Sequence, residues 1–409
     1  MTTTYLGITT YRNQAMRFGI KQADRQQHLF CVGATGTGKS TLLETLAIQD
    51  MHNGTGLAFL DPHGDSCQTL LNHVPPHRID DVIYFSPGDL AYPMAFNPMA
   101  KVGKDQRYLA TQGIVSVFKN LFGDFWGPRT EHILSNVVAT LLEHGQSTML
   151  GINRLVSDES YRHAILRRVN DPFIKAFWEQ EFDQYKDAFR QESLSSTRNK
   201  VGQFIASPQI RNILGQTKST LSFRTMIDSK KIFIADLSKG KLSETASNLF
   251  GSLLITLFQV AAWDRVDTPP NQRQVFNLFV DEFQNFTTDA FIGTLGEARK
   301  FGLALHLATQ YSANISQELK AAIIGNVGTT ICFRVGEEDA REFSRLMYPT
   351  FNAEDLLNLP AYHIYLKLMI DGSTSRPFSA KTLEPDPSMF VGKAQTIIEQ
   401  SRQRYCSKR

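Results

Sequence analysis

Residues 28–50 read HLFCVGATGTGKSTLLETLAIQD, and this stretch decides the fold. It begins with the apolar run His28–Val32, continues through the glycine-rich segment GATGTGKS from Gly33 to Ser40, and passes directly into the helical pattern Lys39–Met51. A strand, a glycine loop and a helix in this order form the setting that makes such a motif a phosphate-binding loop. The glycines let backbone N–H groups curl around phosphates, and the N-terminus of the helix adds its positive end. The sequence therefore predicts a P-loop.

The residues of this loop predict ATP and Mg²⁺ as the cofactors. Lys39 is expected to reach the β- and γ-phosphate oxygens, and the Ser40 hydroxyl is expected to ligate Mg²⁺. Eight residues are predicted to bind the nucleotide: Gly33, Thr35, Gly36, Thr37, Gly38, Lys39, Ser40 and Thr41.

An acidic pair, Asp281 and Glu282, directly follows the apolar run Val275–Val280. A P-loop needs an acidic partner at the end of a neighbouring strand to organise Mg²⁺ and to activate the attacking water. We expect Asp281 to serve the metal and Glu282 to act as the general base. The alternative is that the pair caps a helix, since Asp and Glu also favour helix N-termini.

Polar residues also follow two further apolar runs of the predicted sheet. Gln310 ends the run LALHLATQ, where its amide is predicted to sense the γ-phosphate; the alternative is a turn residue. Asp61, His63 and Asp65 in the segment DPHGD form a second candidate group near the nucleotide, although Asp-Pro and His-Gly also make ordinary turns.

The order of the elements predicts an α/β fold with a mostly parallel, doubly wound sheet. Short β-branched and aromatic runs alternate with helical patterns, and several runs are apolar without alternation, as in strands that are covered on both faces. The predicted strands are His28–Val32, Leu57–Leu60, Val82–Phe85, Lys231–Asp236, Val275–Val280, Leu303–Ala308 and Thr329–Val335.

Residues 105–225 depart from this pattern because their periodicity stays near that of a helix. Pro128 is predicted to begin one helix, and Asp171 and Pro172 are predicted to form the N-cap and first turn of another. Along this second helix we expect a broad, mainly aromatic stripe at Ile174, Trp178, Phe182, Tyr185 and Phe189. We therefore predict an all-α domain, 105–225, inserted between two parts of the core, 1–104 and 226–385. A hairpin at His363–Ile370 and Thr374–Thr382 and a C-terminal helix and basic tail, 386–409, complete the chain.

The composition is that of a soluble globular protein, with 42% hydrophobic and 20% charged residues. The four cysteines lie far apart, which argues against a metal site or a disulfide framework and favours a reducing, cytoplasmic location. The most apolar stretch, Leu249–Trp263, is shorter than a membrane span and is predicted to be a buried helix. No signal peptide is expected at the N-terminus.

The motifs resemble those of the HerA/FtsK-type hexameric pumping ATPases, and among them the type IV coupling proteins of bacterial conjugation. The resemblance covers nearly the whole chain and rests on GATGTGKS, DPHGD, YFSPGDLAYPMAFNPM at 84–99, KIFIADLSKGKL at 231–242, NLFVDEFQNF at 277–286, LGEARKFGLALHLATQ at 295–310 and TTICFRVGEEDA at 329–340.

This resemblance implies a RecA-like core, a homo-hexameric ring and DNA as the partner. It also implies that Arg299 reaches the γ-phosphate of the neighbouring subunit, with Arg334 as a weaker candidate for that interface. We expect the protein to lack the N-terminal transmembrane helices usual in coupling proteins, and we therefore expect a partner to recruit it to any inner membrane where it works.

Three functions remain open from the sequence. The first is an ATP-driven DNA translocase that works with a relaxase or a secretion-system subunit. The second is a related motor that acts with a nuclease in DNA-end processing or phage defence, and the third is an ATP-dependent secretion or assembly factor that does not grip DNA. Lys239 and Lys241 are candidates for phosphate contacts, with a solvated turn as the alternative.

Overall fold

The computed structural model describes residues 3–10, 14–100, 102–123, 126–185, 201, 202, 204 and 206–408. Its central feature is an eleven-stranded sheet in the order β2-β1-β13-β10-β9-β3-β8-β7-β4-β6-β5, beside a two-stranded ribbon of β11 and β12. The strands are β1 Thr3–Thr9, β2 Arg17–Lys21, β3 Leu29–Val32, β4 Gly56–Asp61, β5 Val82–Phe85, β6 Ile232–Asp236, β7 Phe276–Val280, β8 Leu303–Thr309, β9 Thr329–Cys332, β10 His363–Lys367, β11 Met369–Ile370, β12 Ser373–Thr374 and β13 Phe378–Thr382.

Seven strands, from β9 to β5 in that order, run parallel to their neighbours. Strands β3 to β8 are buried along their whole length, as expected for strands covered by helices on both faces. All seven strands predicted from the sequence are present, and the predicted mostly parallel α/β fold is confirmed. Strands β10, β13, β1 and β2 extend the sheet on one side as an antiparallel block.

Helices cover both faces of the sheet. One face packs against the helix that follows the P-loop and against the C-terminal helix, and the other packs against the apolar helix Glu244–Trp263 and the helical segment. The described α-helices are Gln22–Arg25, Lys39–His52, Asp65–Asn72, Arg107–Phe122, Pro128–His144, Gly151–Ser157, Glu159–Leu166, Pro172–Ala176, Pro208–Leu214, Phe223–Asp228, Glu244–Trp263, Asp289–Glu297, Gln317–Asn326, Glu337–Met347, Ala353–Leu357 and Ala394–Tyr405.

Between Lys104 and Asp228 the described residues contain helices and no strand. The Asp171 carboxylate caps the next helix, accepting hydrogen bonds from the N–H groups of Phe173 at 2.8 Å and Ile174 at 3.4 Å. The predicted stripe requires one continuous α-helix, but the α-helix ends at Ala176. A short π-helix, Phe177–Glu181, and a 3-10 turn, Phe182–Gln184, follow it. These turns bring Trp178 and Phe182 into contact, with ring centroids 4.6 Å apart. Phe189 lies outside the described residues, and the domain boundaries remain a prediction.

The hairpin and the last helix also follow the predicted pattern. Strands β10 and β13 pair antiparallel, and the connection turns at Asp371-Gly372, where both residues have positive φ. This is the geometry of a type I′ turn. The C-terminal helix begins at Ala394, later than expected, because Asp386 caps a separate short turn at Pro387–Met389.

One helix among the described residues, Glu244–Asp267, is long and apolar enough to cross a membrane by length and composition alone. Most of it, 89% of the tested window, is buried inside the protein. It is therefore a core helix, as the sequence predicted.

A buried polar network fastens the N-terminal segment to the sheet. The Arg25 guanidinium donates two hydrogen bonds to the Asp50 carboxylate, at 2.6 and 2.9 Å. Both side chains, and that of Asn277, are almost fully buried. The Asn277 amide of β7 donates a further bond to Asp50 at 2.8 Å. Because an unpaired charge is costly in a core, these three residues stabilise one another and fix the far end of the P-loop helix against β7.

His28, directly before β3, is a neutral histidine with both ring nitrogens engaged. Its Nδ1 accepts a hydrogen bond from the Leu305 N–H at 3.0 Å, and its Nε2 donates to the Leu295 carbonyl at 3.1 Å. Burial lowers the pKa of His28 from 6.5 to about 4, and the charge of Arg299 adds to this effect. Protonation at Nδ1 would break the bond from Leu305.

We predict that the protein loses stability in acid partly through His28. Because the unfolded chain binds this proton below pH 6.5 and the folded chain only near pH 4, the free energy of unfolding should fall as the pH drops through that window. At pH 5 the loss from this group is about 2 kcal/mol relative to pH 7.5. His28 has a left-handed backbone, with φ of 67°, which Asn tolerates. Comparing the urea unfolding of wild type and His28→Asn at pH 7.5 and pH 5 isolates the contribution of the histidine. An equal loss between pH 7.5 and 5 in both proteins would contradict it.

Candidate functional site

The carboxyl ends of the parallel strands meet at one edge of the sheet, where ligands bind in open α/β folds. The segments that leave this edge include most of the residues singled out in the sequence. They are the P-loop after β3, the DPHGD segment after β4, Lys239 and Lys241 after β6, the acidic pair after β7, Gln310 after β8 and Arg334 after β9.

The P-loop adopts a conformation that depends on its glycines. Gly36 and Gly38 have φ of 72° and 113°, in the left-handed region that other residues rarely occupy. A Cβ atom at Gly33 would lie 2.5 Å from Cβ of Phe333, so this position has no room for a side chain. The loop ends at the N-terminus of the helix Lys39–His52, whose first N–H groups are free for an anion.

Neighbouring strands hold the base of the loop. The Gly33 N–H donates to the Thr309 carbonyl at 3.2 Å, and the Ala34 N–H donates to the Arg334 carbonyl at 2.7 Å. Within the loop the Thr37 hydroxyl donates to the Ala34 carbonyl at 2.7 Å. The loop is therefore shaped before any ligand arrives.

Lys39 is buried within the loop. Its ammonium donates to the carbonyls of Gly33 at 2.7 Å and Ala34 at 3.2 Å, and lies 3.9 Å from the Glu282 carboxylate. The geometry thus places one cation between the phosphate loop and the acidic pair.

Ser40 and Asp281 form the part of the site that suits a metal ion. The Ser40 hydroxyl donates to Asp281 Oδ2 at 2.6 Å, and Asp281 is 1% exposed. Burial raises the pKa of Asp281 to about 6, with the charges of Glu282 and Asp61 adding to the effect and the bond from Ser40 opposing it. A hydroxyl and a carboxylate are oxygen ligands of the kind that Mg²⁺ prefers, and a cation here would relieve the crowded negative charge.

Glu282 is held in a strained and well-defined orientation. Its backbone is left-handed, with φ of 44°, which is unusual for a residue with a side chain. Its carboxylate accepts hydrogen bonds from the Gln310 N–H at 3.0 Å and from the Gln284 amide at 2.7 Å. Glu282 precedes a short 3-10 turn without capping it through its side chain, so its geometry is that of a fixed carboxylate facing Lys39.

Gln310 joins the two halves of the site. Its side-chain amide donates to the Thr35 hydroxyl in the P-loop, while its backbone N–H donates to Glu282. Gln310 therefore links Thr35 of the P-loop to the Glu282 carboxylate through two hydrogen bonds.

The DPHGD segment does not join this group through its hydrogen bonds. The Asp61 carboxylate accepts bonds from the N–H groups of His63 at 2.8 Å and Cys67 at 3.1 Å, which is the pattern of a turn and a helix cap. His63 and Asp65 are exposed. Asp61 acts on the site only through its charge, which contributes to the raised pKa of Asp281.

Glu44 is a residue near the metal candidates that the sequence reasoning missed. It lies one helical turn after Ser40 and accepts a hydrogen bond from the Ser66 hydroxyl at 2.6 Å. Burial raises its pKa to about 7, and the nearby charges of Asp61, Asp281 and Asp65 add to the effect. Its spacing of four residues from Ser40 was the available signal, because such residues share one face of a helix.

Lys239 and Lys241 are both paired within their own chain. The Lys239 ammonium lies 2.6 Å from the Glu244 carboxylate, and the Lys241 ammonium lies 2.5 Å from that of Asp236. Asp236 is buried, and burial alone would raise its pKa, but hydrogen bonds from Lys241 and Ser238 hold the pKa below its ordinary value. The Lys241 contact is therefore structural, whereas the more exposed Lys239 pair contributes little stability.

The two candidate arginines lie at opposite edges of the sheet. Arg299 is exposed in the 3-10 turn before β8, where its guanidinium contacts the Gln27 side chain at 3.4 Å. The seven residues of β8 put roughly 20 Å between this edge and the P-loop edge. Arg334, by contrast, is exposed beside the P-loop of its own subunit, as its bond to Ala34 shows.

Comparison with known proteins agrees with this arrangement. The sequence model of the type IV secretion-system coupling protein DNA-binding domain matches residues 16–348. No protein among those with curated functions matches the chain.

Solved structures of similar fold include the bacterial conjugative coupling protein TrwBdeltaN70 in its unbound form, at 15% identity and a TM-score of 0.65 over 95% of this chain and 91% of that one. TrwB in complex with ADP and Mg²⁺ matches at 15% identity and a TM-score of 0.63 over 94% and 92% of the two chains. VirB4 of Thermoanaerobacter pseudethanolicus matches at 13% identity and a TM-score of 0.62, covering 95% of this chain and 98% of that one.

These likenesses show a shared fold over nearly the full length. The family match covers most of the chain, including the P-loop and the acidic pair. The chain therefore belongs to the family of type IV secretion-system coupling proteins.

Proposed function

We propose that this chain is a Mg²⁺-dependent ATPase that drives DNA translocation as a homo-oligomeric, hexameric ring. The observation that carries the proposal is the joining of the phosphate loop to the acidic pair, through Ser40 with Asp281 and through Thr35, Gln310 and Glu282. The complex of TrwB with ADP and Mg²⁺ supports the same cofactors for this chain.

In this mechanism each residue has a separate task. Glycine N–H groups and Lys39 bind the phosphates, and Ser40 and Asp281 hold Mg²⁺, directly or through water. Glu282 accepts the proton of the attacking water, and Gln310 links the state of the γ-phosphate to Glu282. Burial raises the pKa of Asp281, and a bound metal would oppose this shift because its positive charge favours the charged carboxylate.

DNA is the proposed partner because of the family to which the chain belongs, whose matched domain is described as DNA-binding. A ring would let DNA pass through a central pore, with a relaxase or a secretion-system subunit as the further partner. We propose a cytoplasmic motor that such a partner recruits to the inner membrane.

The position of Arg299 supports a site that is shared between subunits. It is exposed and lies at the edge of the sheet away from its own P-loop, so a role at a nucleotide requires the nucleotide of another subunit. A trans arginine stabilises charge that develops on the γ-phosphate in the transition state.

ATP turnover with and without DNA tests the proposal directly. Lys39→Ala should lose ATP binding, whereas Glu282→Gln should keep binding and slow hydrolysis by orders of magnitude, because an amide cannot accept the proton.

DNA should stimulate wild-type turnover. Near-normal turnover in either variant would contradict the assigned roles, and indifference to DNA would favour a secretion or assembly factor. Co-purification with a nuclease would favour a role in DNA-end processing or defence.

Arg299→Ala should bind ATP and assemble, yet hydrolyse ATP roughly 10³- to 10⁵-fold more slowly if the finger acts in trans. Mixing Arg299→Ala with Glu282→Gln subunits should restore some turnover, because some interfaces then combine an intact finger with an intact base. Arg341→Ala, which removes an exposed arginine paired within its own helix, is the matched control and should behave as wild type. Wild-type turnover of Arg299→Ala, or no recovery on mixing, would refute the trans mechanism.

Lys239 gives a test of DNA contact that Lys241 does not, because loss of Lys241 would leave buried Asp236 without its positively charged partner. We expect Lys239→Ala to weaken binding of all DNA sequences alike and to flatten its dependence on salt. Glu244→Gln, which frees the same ammonium, should strengthen binding. Unchanged affinity and salt slope in both variants would assign Lys239 to a solvated turn.

A further inference from the structure

Tyr362, directly before β10, contacts the P-loop although it lies more than 300 residues beyond it in the chain. Its backbone N–H donates a hydrogen bond to the Thr37 carbonyl at 2.8 Å. To make this bond its backbone is left-handed, with φ of 64°. Such a conformation is a genuine outlier for a bulky aromatic residue, and strained residues of this kind concentrate at functional sites.

The ring of Tyr362 packs on Gly38, the glycine that precedes Lys39. A Cβ atom at Gly38 would lie 2.7 Å from Cδ1 of Tyr362 and 3.3 Å from both Cε1 of Tyr362 and Cε1 of Phe333. Gly38 itself has φ of 113°. Two aromatic rings therefore support the side of the loop where the chain turns into the helix.

Tyr362 is in turn held from the antiparallel block of the sheet. Its carbonyl accepts hydrogen bonds from the Thr382 N–H at 2.8 Å and from the Thr382 hydroxyl at 3.2 Å. Thr382 belongs to β13 and lies opposite Gly7 of β1. One residue thus connects the phosphate loop to strands that carry none of the hydrolytic groups.

We propose that Tyr362 is a positioning residue of the nucleotide site, which fixes Thr37 and Gly38 in the conformation that binds phosphates. The proposal rests on the ATPase function proposed above. Because Glu282 and Gln310 follow other strands and have hydrogen bonds of their own, Tyr362 should govern affinity for the nucleotide and not the rate of cleavage.

Tyr362→Asn tests this role, because Asn accepts a left-handed backbone and keeps the N–H while it removes the ring. We expect the Kd for fluorescently labelled ADP with Mg²⁺, and the KM for ATP, to rise roughly tenfold, equivalent to about 1.4 kcal/mol. The kcat at saturating ATP should stay within about twofold of wild type, because the interaction is made equally in the ground and transition states. Tyr362→Phe, which keeps the aromatic ring and removes only the hydroxyl, should keep wild-type affinity.

Tyr365→Leu, in the strand β10 that follows Tyr362, is the matched control. Its ring stacks on Phe351 at 3.6 Å, so its loss tests whether general loosening of β10 changes nucleotide affinity. The control should lower thermal stability but leave the Kd for ADP unchanged. If Tyr362→Asn does not fold, Tyr362→Gly, which adopts the left-handed backbone without strain and also lacks the ring, should show the same selective rise in Kd.

Three results would overturn the proposal: an unchanged Kd without the ring, a fall in kcat with unchanged Kd, or a defect in Tyr362→Phe equal to that of Tyr362→Asn. A rise in Kd in Tyr365→Leu as large as in Tyr362→Asn would assign the effect to loosening of β10. Failure of the ATPase function itself is distinguishable, because Lys39→Ala would then bind ADP as tightly as wild type.

Discussion

Parallel pairing of β3 with β8, and of β8 with β7, is the constraint on which the site depends. It places Val32 beside Thr309 and Val280 beside Leu307, so the P-loop, Gln310 and the acidic pair leave the sheet within two strand spacings of one another. Adjacent strands are only about 4.8 Å apart, which keeps Ser40 within hydrogen-bonding reach of Asp281 and Thr35 within reach of Gln310. The fully buried strands hold this spacing because a shift in register would disrupt the packing of their side chains against the helices on both faces.

The electrostatics of the site follow from the same geometry. Among the described residues of the P-loop, Lys39 is the cation that faces the acidic pair. Four carboxylates lie in the same region, those of Asp281, Glu282, Asp61 and Glu44. Burial of these groups raises the pKa of Asp281 and Glu44, so the site favours the arrival of positive charge. A Mg²⁺ ion bound with a nucleotide would supply that charge, and Arg299 of a neighbour would supply more only when subunits meet.

Sequence patterns predicted the parallel core well because buried strands and a P-loop have strong local signals. The positions of β3 to β9 and the helix Glu337–Met347 were expected to within a few residues, whereas the π turn after Ala176 left no periodic signal and was missed. The acidic pair and Gln310 could be singled out from the sequence because each follows an apolar run, and the strand order then brings them to one edge of the sheet. Glu44 and Tyr362 were missed because their roles come from contacts, with Ser66 and with Gly38, that no local pattern contains. Whether Lys241 was free or paired depended on the burial of Asp236, which the sequence alone does not give.

The proposed mechanism depends on Ser40 and Asp281 holding the Mg²⁺ of an ATP molecule bound in the P-loop, beside Glu282. An experimental structure of the Glu282→Gln protein, trapped with Mg²⁺ and ATP, tests it most directly. We expect a metal ion between the Ser40 hydroxyl and Asp281, with Lys39 turned from the loop carbonyls to the phosphates and Gln310 near the γ-phosphate. Nucleotide density elsewhere on the chain, or a metal ion that neither Ser40 nor Asp281 contacts directly or through water, would contradict it.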